Sequence, residues 1–145
     1  MRFEKKDQKA LLLWAADCAE RVLPVFEAKC AADDRPWEAL EAARAWTHGL
    51  VPCSEVRTAA FAAHAAAREI DDPAACAAAR AAGHAAATAH VASHAVHAAA
   101  YAVKAVRSSA HPNQADQKAA EEREWQIQHL PVHLRSVVFP TSDGS

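Results

Sequence analysis

Apolar residues recur along this chain at helical spacing and almost never with the alternation of a strand. Leu11, Ala15, Cys18, Val22 and Phe26 share one face of a stretch over residues 7–29, while Asp17, Glu20 and Arg21 point elsewhere. Pro24 falls inside that pattern and predicts a kink or an end to the helix's first part. A second helix is expected from residues 34–36 to 49, opened by an acidic residue and a proline and closed by Gly49. Its packed face reads as Trp37, Leu40, Ala43 or Arg44, and Trp46, with Glu41 and Arg44 as an i,i+3 ion pair. A third helix runs over residues 54–70 with Ser54 as its N-cap. The stretch over residues 72–107 organises the rest. Asp72 is its N-cap and Pro73 its first helical residue. No formal charge occurs between Ala81 and Val103, and Lys104 and Arg107 sit where positive charge suits the helix dipole. At about 1.5 Å per residue a single helix here would exceed about 50 Å, too long for a small domain. A break is therefore expected near Gly83, leaving a central buried helix over about residues 84–107. A polar helix follows over residues 112–130, ended by Pro131. Residues 132–139 form a short helix or an extended arm, and residues 141–145 a disordered tail.

Composition agrees with that pattern. Of 145 residues, 52% are hydrophobic, mostly alanine, and only 6% are aromatic. Alanine is the best helix former, and β-branched residues are few. The expectation is an all-α fold: one domain over residues 1–140, a compact alanine-rich bundle of about five or six helices. The formal charge of −2 leaves no basic footprint for nucleic acid. The uncharged central stretch is too weakly apolar, and too rich in histidine, to read as a membrane span. Cys18, Cys30, Cys53 and Cys76 form no CxxC pair and read as apolar fillers. The opening MRFEKKDQK lacks a signal-peptide pattern, so a reducing cytoplasm is the expected setting.

Candidate chemistry lies on the third helix and the central stretch. Arg57, Phe61, His64 and Arg68 fall at i, i+4, i+7 and i+11, one stripe of a helix. His90, His94, His97 and Tyr101 repeat that spacing on the central stretch. Arg80 and His84 form an i,i+4 pair on a different face. Imidazoles one turn apart can share a metal, so His90, His94 and His97 form an alternative metal set. No carboxylate on the same helix would complete it. No Gly-x-Ser-x-Gly elbow, glycine-rich phosphate loop or activated cysteine is present. The residues therefore call for no catalytic set and no cofactor. They favour a binding protein, with a metal- or small-molecule-binding helical bundle, or an enzyme built on one, as the alternative.

Four strings carry a family resemblance: WAADCAERVLPVFE at residues 14–27, RPWEALEAARAW at 35–46, ARAAGHAAATAHVASHAVHAAAYAVKA at 79–105 and EREWQIQHLPVHLR at 122–135. In this order they resemble a family of small, all-helical bacterial immunity proteins, of the fifth-numbered immunity-like type. The resemblance implies a protein that protects the producing cell by binding and blocking a cognate toxin, without catalysis. It assigns no role to individual histidines or arginines. The residues themselves point to Arg57, His64, Arg68, Arg80 and His84 as the contact patch, with Trp37, Trp46 and Trp125 as anchors where exposed. The mild charge argues against a strongly basic nuclease as the target. Alanine-rich faces also permit a homodimer.

Overall fold

In the computed structural model, which describes residues 3–140, one alanine helix packs against four others. The elements in order are α1 (Gln8–Glu27), α2 (Arg35–Thr47), α3 (Cys53–Arg68), α4 (Pro73–Ala87), α5 (His94–Ser109), α6 (Ala115–His129) and α7 (Val132–Val138), with short 3-10 turns before α1 and α6. No strand occurs among the described residues. α4 packs against α1, α2, α3 and α5. Ten of its 15 residues are buried, nine alanines and Gly83. Side chains this small let four neighbours approach one axis closely. Its start is as expected: the Asp72 carboxylate accepts the Ala75 N–H at 2.9 Å, and Pro73 takes the first helical position.

The expected apolar face of α1, from Leu11 to Phe26, is buried throughout. Pro24 is exposed and the helix continues past it to Glu27, so it does not end there. α6 closes the other side of α1 through polar contacts. The Trp14 indole N–H donates to the Gln126 carbonyl at 2.8 Å, and the Gln126 amide donates to the Ala99 carbonyl at 2.9 Å. Arg21 grips the buried Glu122 carboxylate with two bonds of 2.7 and 3.0 Å. α7 adds Leu134 and Val138 to the core.

The central stretch differs from expectation. It is not one helix broken at Gly83. Gly83 lies buried within α4, and the break falls at residues 88–93. The Thr88 hydroxyl donates back to the His84 carbonyl at 3.0 Å. The Gln8 side-chain amide donates to the Thr88 and Ala89 carbonyls at 2.9 and 3.0 Å. Those carbonyls are satisfied from another helix, so the chain can leave α4 and return as α5 without orphaning them. This split, together with α7, gives seven α-helices among the described residues rather than five or six. Local polar expectations shift as well. Ser54 lies inside α3, and Pro52 precedes its first residue. Trp37 is 48% exposed rather than packed. Arg44 pairs with Asp17 and Glu20 of α1 instead of Glu41. Among the described residues no helix is long and apolar enough to cross a membrane.

Candidate functional site

The α4–α5 hairpin brings together side chains that lie far apart in the sequence. Arg80 and His84 share one face of α4, and His94, His97 and Tyr101 share one face of α5. Reversal at residues 88–93 sets the two faces side by side, and α3 adds His64 from the other flank. His84 lies in the middle of four rings. Tyr101 stacks on it at 5.2 Å with a 9° interplanar angle, and His94 at 5.3 Å and 26°. His97 lies at 5.3 Å and His64 meets it edge-on at 4.8 Å. The His84 and His94 Nδ1 atoms are 3.2 Å apart, so one ring donates and the other accepts. The Arg80 guanidinium donates to His64 Nδ1 at 2.9 Å. That bond fixes the proton of a neutral His64 on Nε2.

Gly83 makes this arrangement possible. A Cβ on Gly83 would lie 2.6 Å from His64 Nε2 and 2.7 Å from its Cε1. The His64 ring rests on bare backbone, one residue before His84.

The electrostatics favour the neutral forms of His64, His84 and His94. Burial, then Arg80 and Arg68, pushes His64 down to about 4 from an ordinary 6.5. Burial, then His64, His94, His97 and Arg80, pushes His84 down to about 3. His94 is lowered by burial and then by His97 and His90. None of these rings meets a carboxylate; among the described residues only His133 does, at 2.9 Å from Asp7. A histidine base held by a carboxylate is therefore not what this cluster forms. What it offers is flat rings, one guanidinium and a phenol held on helices.

Three predicted residues fall elsewhere. His90 sits in the turn at residues 88–93, outside any helix, where burial and then Arg57 lower its pKa. The helical spacing expected to join His90 to His94 and His97 is thereby lost, and with it the alternative metal set. Among the described residues no three His, Cys, Asp or Glu side chains are placed to hold one metal ion. Arg57 and Arg68 are exposed on α3, on either side of Phe61, which is 65% exposed. Trp46 and Trp125 are partly buried and pack on the core. The cysteines are all free, and burial pushes the Cys18 thiol far above its usual range. A groove of about 690 Å³ between α2 and α3 is lined by Ala42, Ala45, Val51 and Ala59 with Glu38, Glu41 and Glu55, and includes none of the predicted site residues.

The Imm-5 like putative immunity protein family model matches residues 1–133. The chain belongs to that family. Neither the curated proteins nor the solved structures give a match. The family match takes in every member of the ring cluster and all of α1 to α6.

Two signals had been available for what spacing alone missed. Gly83 interrupts an alanine run between Arg80 and His84, where only a close approach justifies the loss of helix propensity. Residues 73–115 contain no Asp or Glu, so the whole hairpin carries cations without counter-charges of its own.

Proposed function

We propose that this member of the Imm-5 like family binds a cognate bacterial toxin and blocks it by occlusion, without catalysis. The contact surface in this reading is the edge formed by α3, α4 and α5. The supporting observation is Arg57, Phe61 and Arg68 exposed on one stripe of α3, beside His64, Arg80 and His84 where α3 meets α4. Phe61 is a large apolar side chain left 65% exposed between two arginines. Aromatic and arginine side chains are those that carry binding energy at protein interfaces. The rings behind them are held by one another, so little ordering is left to do on binding. Membership of an immunity protein family supports a toxin as the class of partner.

The test is protection and binding against toxins encoded beside the gene. The wild-type chain is expected to restore growth and to bind one of them in purified form. Phe61→Ala with Arg57→Ala is expected to weaken binding at least about 30-fold, as loss of about 2 kcal/mol at a hot spot implies. Both side chains are exposed, so the far-ultraviolet circular dichroism should stay unchanged. Wild-type affinity in this double variant, or failure to bind any neighbouring toxin, would overturn the reading.

A further inference from the structure

The described arginines divide by what they touch. Arg21, Arg35, Arg44 and Arg107 each pair with a carboxylate. Arg123 lies over the Phe139 ring, and Arg135 donates to the Leu130 and Gln128 carbonyls. Arg57, Arg68 and Arg80 have no carboxylate partner among the described residues. For Arg57 and Arg68 this is ordinary, because both are exposed. Arg80 is different. It is partly buried on the most enclosed helix, and its one hydrogen bond is from Nη1 to His64. Its remaining guanidinium nitrogens are not among the buried unpaired polar atoms, so they are open to a ligand from outside.

The one bond Arg80 makes orients it. His64 accepts from Nη1, and the His64 ring is in turn set by Gly83 and His84. The Nε–Nη2 edge, the fork that matches two oxygens of one group, makes no bond among the described residues. We propose that this edge of Arg80, flanked by His84, is an oxyanion site that takes a carboxylate or a phosphoryl group. The groups on its α3 and α5 flanks are cations and uncharged rings. α3 contributes Arg68 and His64; α5 contributes His94, His97, Tyr101 and Lys104, whose ammonium lies 5.8 Å from the Tyr101 ring. The hairpin bearing Arg80 has no acidic residue that could close the site from within.

Bound oxygens would add a negative charge beside His84 and His64, two rings that free protein keeps neutral. Their protonated forms are then favoured, so binding takes up protons and tightens as pH falls. In combination with toxin binding, the site would receive an Asp or Glu side chain of the partner; that clause rests on the proposed function, while the site itself does not.

Imidazole C–H resonances of the full chain would be followed by NMR while inorganic phosphate or acetate is added, at about pH 7 and about pH 5, the lower value approaching the depressed pKa values of His64 and His84. The expected result is a saturable shift of His64 and His84 that needs less anion at the lower pH. Arg80→Gln should abolish it. Arg80→Lys, which keeps the charge but not the fork, should weaken it about tenfold. Arg107→Gln, which removes an exposed arginine paired with Asp116, should leave it unchanged. Saturation by phosphate alone assigns a phosphoryl group, and by acetate also assigns a carboxylate. No saturable shift with either anion overturns the site, as does an Arg80→Gln protein that titrates like wild type. If the anions bind but no toxin does, the occlusion reading falls and the oxyanion site stands. If the toxin binds while neither anion shifts the rings, the reverse holds.

Discussion

Replacing Gly83 by alanine should destabilise this protein, although the same change normally stabilises a helix interior. Helix propensity alone favours alanine by about 1 kcal/mol. Against that gain stands the His64 ring, two of whose atoms would lie 2.6 and 2.7 Å from the new methyl group. A free surface ring would swing aside at little cost. This one is held by the Arg80 guanidinium at 2.9 Å and by the edge-on contact with His84 at 4.8 Å. Moving it forfeits a hydrogen bond to a charged group, worth about 1.5–3 kcal/mol, and adds some overpacking cost. The expected net loss is about 1–2 kcal/mol, or roughly 3–8 °C in Tm for a chain of this size. Deleting the ring should reverse the sign. In a His64→Ala background, Gly83→Ala should stabilise by about 1 kcal/mol, because only the propensity term remains. Urea unfolding of the four proteins of this double-mutant cycle measures the coupling directly. Equal stabilisation by alanine in both backgrounds would refute the argument that the glycine exists to seat His64.

Other consequences are as specific. His64 and His84 are held at about 4 and about 3, below their unfolded value of 6.5, so the unfolded chain takes up protons that the fold refuses. Stability should be full above about pH 6.5 and fall as pH drops toward 4 and 3; halved for partial exposure, the loss is about 2–4 kcal/mol. A His64→Gln, His84→Gln protein should lose much of that slope in urea midpoints measured against pH, and an unchanged slope would refute the assignment. At the α1–α6 contact, Arg21→Ala should cost more than Glu122→Ala. The first strands a carboxylate that is 8% exposed, at about 3 kcal/mol, whereas the second frees an arginine already 39% exposed, at about 1 kcal/mol. Equal losses in chemical denaturation would contradict that ordering.

Most of the helical plan was legible because it is written locally. Asp72 and Pro73 mark the start of α4 by cap chemistry alone, and the five apolar positions of α1 follow from spacing. The break after α4 was not legible, because its cause is not local. Gln8, some eighty residues earlier, takes the Thr88 and Ala89 carbonyls, and no glycine or proline marks the place. Gly83 was misread for the complementary reason. Its low propensity was visible, but the ring that needs the space comes from α3. The site was half visible in the same way. Spacing grouped His94, His97 and Tyr101 correctly, wrongly included His90 by assuming an unbroken helix, and placed Arg80 and His84 apart. Only the reversal at residues 88–93 shows that the two faces meet. Arg44 likewise found its acids on α1 rather than one turn away.

Alanine has no χ angles, so the middle layer of the bundle freezes out no side-chain torsions when it folds. On α4 itself the side chains with torsions left to vary are Cys76, Arg80 and His84, and His64, His94, His97 and Tyr101 reach them from α3 and α5. Along this edge, side-chain adjustment is left to the rings and one guanidinium. The backbone beneath, built from methyl groups in direct contact, has no slack to share.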